Sequence, residues 1–141
     1  MGAGTGALTA PLLRAGARVI AVEVHPGRAA ELRRRFGDDV VVVRADAADL
    51  RLPRRPFHVV ANPPFAVTAA LLRRLLHPGG RLLGAHLVLQ EQAARRWAAA
   101  DAPGIARWGA HFEIGAGERL PRHAFTPRPR VATRVLMIRR R

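Results

Sequence analysis

Four short apolar runs alternate with alanine-rich or amphipathic stretches, and this alternation is what most narrows the fold. Residues 18–22, 40–43, 57–61 and 81–89 are rich in branched apolar side chains and have the length of buried strands. Residues 7–15, 28–36, 66–76 and 90–100 read as helices, with Gly37 and Pro78-Gly79-Gly80 as stop signals. Strands that alternate with helices predict an α/β domain around a mostly parallel sheet. After Pro103-Gly104 the pattern changes. Residues 111–114 and 134–138 read as two more strands, joined by a connection too proline-rich for a helix. A chain of 141 residues has room for one core, so 1–141 is read as a single domain.

In parallel sheets, ligands bind beyond the carboxyl ends of the strands. Gly2-Ala3-Gly4-Thr5-Gly6, Glu23, Asp46 and Asn62 each follow a strand or open a helix, so one rim is expected to carry them all. Buried strands have no structural need for polar residues at their ends, and a site explains the set better than chance. The glycine turn lets backbone pass close to a ligand, and the helix it opens favours negative groups. Its spacing is not the dinucleotide fingerprint, which argues against a nicotinamide enzyme. Glu23, 21 residues after Gly2, suits the two hydroxyls of a ribose; the alternative is a solvated strand-end carboxylate. Asp46 suits the amine of a ligand adenine, and its neighbour Asp49 reads as a helix cap or surface charge.

Asn62-Pro63-Pro64-Phe65 is the sharpest signal of the first half. Consecutive prolines fix the backbone and supply no N–H donors, leaving carbonyls free to accept. The Asn62 side-chain oxygen and the Pro63 carbonyl match the two N–H donors of an adenine amine. Accepting both would return the nitrogen lone pair from the ring and aim it at an electrophile. Phe65 would stack on the base, a contact worth roughly 1–3 kcal/mol. A rigid turn with Phe65 in the core is the plain alternative. Phe125, ahead of the proline-spaced run to Val131, offers a second aromatic face for a base turned out of its stack, or else a plug for the core.

Charge points to the partner. The chain carries 24 basic residues, all arginine, against 10 acids, for a net charge of +14. A GC-rich genome accounts for the missing lysines, but not for the shortage of acids. Guanidinium groups match phosphate geometry, so nucleic acid is the expected partner rather than a membrane surface. No apolar run approaches the roughly 20 residues of a membrane-spanning helix, and a protein without a secretory leader is expected. Serine and cysteine are absent, excluding those nucleophiles, disulfides and thiolate metal sites. The six histidines show no metal-ligand spacing, and Trp97 and Trp108 read as core or interface. A soluble, cytoplasmic, metal-free monomer is expected. The arginine clusters 33–35, 73–74, 95–96 and 139–141 read as solvated faces and a solvated tail, with some subset on phosphate.

Taken in order, Gly2-Ala3-Gly4-Thr5-Gly6-Ala7-Leu8-Thr9, Val22-Glu23, Ala45-Asp46, Asn62-Pro63-Pro64-Phe65 and Phe125-x-Pro127-x-Pro129-x-Val131 resemble the motifs of the rRNA adenine N6-methyltransferases. That family includes Erm-type 23S rRNA enzymes of macrolide–lincosamide–streptogramin B resistance and the 16S rRNA adenine dimethyltransferases of ribosome assembly. The resemblance implies a Rossmann-like methyltransferase fold with an antiparallel last strand and S-adenosylmethionine as cofactor. It implies that Gly2 and Gly4 line the methionine end, Glu23 holds the ribose and Asp46 the adenine amine. Asn62 would lie beside methyl donor and target amine, with Pro63 accepting and Phe65 and Phe125 clamping the base. Transfer would be an in-line attack of the adenine nitrogen on the sulfonium methyl, with positioning rather than a strong base supplying the rate. The helix from Leu89 to Trp97 and the arginine-rich style resemble the Erm type, which favours 23S rRNA as substrate. The 16S enzymes, and an inactive relic that binds RNA by charge, are the alternatives. Family members also carry a first strand with an acidic residue before the glycine turn, and a helical RNA-binding domain after the last strand. Incompleteness at both ends is therefore expected, with weak cofactor binding and little methylation.

Overall fold

The computed structural model describes residues 1–47 and 49–141 and resolves into two compact units, Met1–Arg51 and Leu52–Arg141. The first holds helix α1 (Thr9–Arg14), strand β1 (Val19–Glu23), helix α2 (Pro26–Phe36), a 3-10 turn at Gly37–Asp39 and strand β2 (Val40–Arg44). The β-branched runs of β1 and β2 pair in parallel, from Val19 opposite Val40 to Glu23 opposite Arg44. This register sets both carboxyl ends at one rim. Helix α2 starts where Pro26 needs no N–H partner and the His25 Nδ1 accepts from the Arg28 amide at 3.4 Å. Ala21, Leu32 and Val40 form its buried core, with Leu13, Phe36 and Val42 packed against them. Gly6 is required here. A Cβ at that position would sit 2.5 Å from the Phe36 ring, and its φ of +95° is one that side-chain-bearing residues avoid. Helix α1 is shorter than the expected 7–15, because Leu8 at its N-cap has no side-chain acceptor to hold the first turn.

The second unit runs β3 (Phe57–Ala61), α3 (Phe65–Leu75), β4 (Leu82–Gln90), α4 (Glu91–Ala98), α5 (Ile105–Trp108), β5 (Phe112–Leu120), a 3-10 turn at Arg122–Ala124 and β6 (Thr133–Arg140). Its sheet has the order β3-β4-β6-β5. Strands β3 and β4 are parallel, and β6 runs against both β4 and β5. The α/β class and the antiparallel last strand are thus as expected. The last two strands are longer than their sequence suggests. Gly115 and Gly117 weaken strand propensity, but Gly115 pairs with Met137 on β6, and pairing outweighs propensity. The register slips between Ala116 and Arg119, and there the Arg134 Nη1 donates to the Gly117 carbonyl.

Leu71, Leu72 and Leu75 of α3, Leu87 and Leu89 of β4, and Leu136 of β6 are all fully buried. Each such leucine contributes about 1.5–3 kcal/mol. The core reading holds for both tryptophans, which are buried, with the Trp108 Nε1 donating to the Pro103 carbonyl at 3.0 Å. Arg140 departs from the solvated-tail reading. Its guanidinium donates to the carbonyls of Leu82 and Gly80 at 2.7 Å each and of Pro78 at 3.3 Å, and lies 4.6 Å over the Phe112 ring. It ties the end of β6 to the turn that feeds β4. Among the described residues, no helix is long and apolar enough to cross a membrane.

Candidate functional site

The carboxyl rim of the first unit is organised by Glu23. Its side chain ends β1 and is buried, with 3% of the residue exposed. Its Oε2 accepts from the Gly4 amide at 2.8 Å and its Oε1 from the His25 amide at 2.9 Å. Burial is the largest single influence on its ionisation and opposes the charge. The amides of His25 and Gly4, the Arg28 cation and the Val24 amide together outweigh burial, holding the carboxyl below its ordinary value of 4.5. Glu23 is therefore a fixed anion. A carboxylate has about four acceptor positions, so each oxygen keeps a lone pair for a further donor.

The glycine turn follows from the same contacts. The Ala3 amide donates to the Val22 carbonyl at 3.0 Å, and Gly4 turns its own amide onto Glu23. Gly4 has a φ of +55°, and a Cβ there would meet nothing within 4 Å, so open space lies over its backbone. An open glycine backbone beside a fixed carboxylate fits a ribose-bearing ligand such as S-adenosylmethionine. Gly2 is exposed, also at positive φ, and Asp46 is exposed two residues past the end of β2. The β1–β2 register brings Gly4, Glu23 and Asp46 to one end of this small sheet.

In the second unit Asn62 follows β3 directly, Pro64 caps α3, and Phe65 is the first residue of that helix. The Thr68 hydroxyl donates to the Pro64 carbonyl at 3.2 Å and fixes the turn. An open cavity of about 380 Å³ is lined by Asn62, Pro63, Pro64, Phe65, Phe125, Pro127, Pro129 and Thr133. The four residues read from sequence as the base site, Asn62, Pro63, Phe65 and Phe125, thus line one cavity. Asn62 is exposed, Phe65 is 53% exposed and Phe125 is half-buried, so the rings are not core plugs. Among the described residues, neither the Asn62 amide nor the Pro63 carbonyl has a hydrogen-bond partner.

Thr133 is the cavity residue that sequence reading missed. No local spacing marked it: the chain from Phe125 reaches β6 through bends, so the side-chain alternation of a strand does not apply there. A second missed feature is Glu91, which opens α4. It meets Arg95 at 2.9 Å, Arg134 at 3.2 Å and Arg119 at 3.3 Å. Hydrogen bonds from Arg95 and then Arg134, against some burial and with help from the Arg119 charge, hold its carboxyl below the ordinary value. This hub joins α4 to β5 and β6, and of its three arginines only Arg95 belongs to the clusters singled out in the sequence. Among the described residues, no group of three His, Asp or Glu side chains is placed to hold a metal ion.

The ribosomal RNA adenine dimethylase family matches residues 1–141. An rRNA adenine N-6-methyltransferase of Corynebacterium diphtheriae is 40% identical over 99% of this chain and 56% of its own length. The mycinamicin-resistance protein MyrB of Micromonospora griseorubida is 38% identical over 100% of this chain and 46% of its own. A probable ribosomal RNA small subunit methyltransferase A of Pyrobaculum islandicum is 33% identical, over 98% and 59%. The crystal structure of the 23S rRNA methyltransferase ErmE superposes with a TM-score of 0.88 at 28% identity, over 99% of this chain and 59% of that one. The chain spans about half the length of the curated relatives it matches.

Proposed function

Because the chain belongs to the ribosomal RNA adenine dimethylase family, we propose that residues 1–141 act as the catalytic domain of an rRNA adenine N6-methyltransferase, with 23S rRNA as substrate. The observation that carries this reading is one cavity lined by Asn62, Pro63, Phe65 and Phe125, with the Asn62 amide and the Pro63 carbonyl unpartnered among the described residues. Such a cavity suits a flat base bearing an amine. The Asn62 oxygen and the Pro63 carbonyl take the two amine hydrogens and turn the nitrogen lone pair out of the ring plane. Phe65 and Phe125 hold the ring and exclude water from it. In the first unit Glu23 accepts from the ribose hydroxyls of the cofactor, Asp46 from its adenine amine, and Gly2 and Gly4 admit its methionine end. S-adenosylmethionine, when bound, supplies an electrophilic methyl group. The protein's share of the rate is positioning, worth up to roughly 7–11 kcal/mol in well-oriented reactions.

Two likenesses favour 23S rRNA, the MyrB relative at 38% identity and the ErmE superposition at 0.88. Resistance to macrolides, lincosamides and streptogramin B is the phenotype this reading expects. The small-subunit relative at 33% identity supports the second reading, a 16S rRNA dimethyltransferase. Methyl transfer from tritiated S-adenosylmethionine, measured with the natural full-length protein on protein-free 23S rRNA and on assembling 16S particles, separates them. Label at an adenine N6 of 23S rRNA is expected. Label confined to 16S rRNA would end the resistance reading, and none in either RNA would end the methyltransferase reading.

A further inference from the structure

Among the described residues, two buried side-chain polar atoms lack a hydrogen-bond partner, the Thr133 Oγ1 and the Arg134 Nε. The Arg134 case is explained by its own side chain, whose terminal nitrogens are engaged by Gly117 and Glu91. Thr133 has no such account. It is 5% exposed and lies in the wall of the base cavity. The contrast with Thr68, a buried threonine of α3, is direct: that hydroxyl is bonded to the Pro64 carbonyl. A buried hydroxyl left unpaired destabilises the free protein, and one in a cavity wall gains by a partner that arrives with a ligand.

We propose that Thr133 is a further specificity contact of this cavity, its hydroxyl donating to a ring nitrogen that flanks the amine of the bound adenine. The inference rests on the base-site reading of the cavity. Asn62 and Pro63 recognise an amine and nothing more, and cytosine carries one too. A donor on the far side of the amine meets N7 in adenine but a C–H in cytosine, and so selects the purine; a donor on the near side meets N1 in adenine and N3 in cytosine, and selects only against bases with a proton there. No hydrogen bond holds the Thr133 hydroxyl in its present rotamer, so it can turn about χ1 onto an arriving acceptor. Strand β6 fixes the residue itself, paired with Gln90 on one side and Leu120 on the other.

The test titrates adenosine, 1-deazaadenosine and 7-deazaadenosine into the protein by NMR, for the parent chain and for Thr133→Val, Thr133→Ser and Phe125→Ala, with a thermal melt of each. Thr133→Val keeps the shape and removes the hydroxyl. It should weaken adenosine binding about two- to tenfold, with the melting midpoint held or raised, and serine should restore most of the loss. One deaza analogue should bind the parent more weakly by that same factor and be indifferent to Thr133→Val; which one it is identifies the nitrogen. Unchanged adenosine binding by Thr133→Val while Phe125→Ala weakens it would overturn the Thr133 inference alone. So would a lowered midpoint for Thr133→Val, since the hydroxyl would then serve the fold. Adenosine that leaves the resonances of this cavity unmoved in the parent, or moves them alike in Phe125→Ala, would overturn the base-site reading and Thr133 with it.

Discussion

The two units build their rims on opposite plans. In the first, the candidate acid belongs to the fold: Glu23 is buried, and both its oxygens are bonded by the amides of Gly4 and His25. In the second, the candidate groups hang on a finished fold. Asn62 is exposed, its amide and the Pro63 carbonyl are unbonded among the described residues, and Phe65 leans into solvent. The first plan suits a ligand held by a rigid anion that must be correct before the ligand arrives. The second suits a base that enters from elsewhere and must find acceptors not already spent. The lesson is that stability and function are coupled at one rim and separable at the other.

The largest effect should come from the separable rim. Asn62→Ala removes one of two acceptors aimed at the reacting amine, and methyl transfer should fall by about 10²–10³, as when one preorganised polar contact is lost elsewhere. The melting midpoint should stay within about 2 °C, because an exposed, unbonded side chain adds little to stability. A midpoint several degrees lower would show that Asn62 also holds the turn, and the contrast between the rims would fail.

At the coupled rim the losses should travel together. Glu23→Ala leaves the Gly4 and His25 amides without their acceptor and should cost about 2–3 kcal/mol of stability by chemical denaturation. Calorimetry should find S-adenosylmethionine bound at least about tenfold more weakly, the loss of two hydroxyl contacts to a charged group. Weakened cofactor binding with unchanged stability would mean that the two amide bonds contribute nothing to the fold.

What could be read from the sequence follows the same division. The strands β1 to β4 were legible because continuous apolar runs bounded by turn residues have few other uses. Asn62-Pro63-Pro64-Phe65 was legible because prolines constrain the backbone wherever they stand. Strand β5 was half hidden, since Gly115 and Gly117 extend only because β6 lies beside them. The same is true of Thr133, whose role depends on a cavity that no local spacing encloses. Arg140 was misread because a terminal arginine run looks solvated, and only the fold brings three carbonyls to it. Local chemistry shows in sequence; partners supplied from far along the chain do not.

The smallest effect concerns acid, and it separates the units again. A carboxyl whose pKa is lowered by folding adds stability above its ordinary value of 4.5, and that stability drains away as pH falls toward the lower folded value. Both Glu23 and Glu91 are of this kind, so both units should weaken below pH 4.5 rather than above it. Their partners differ. Glu91 is held by the charges of Arg95, Arg134 and Arg119 near the surface, and salt screens such pairs. Glu23 is held mainly by backbone amides, which salt does not screen. An acid titration of stability at low and high salt should therefore keep the part of the slope that Glu23→Gln removes and lose part of what Glu91→Gln removes. If salt erased the Glu23 contribution as fully as that of Glu91, the Arg28 charge would outweigh the two amides, and the first rim would owe its rigidity to ion pairing instead of backbone geometry.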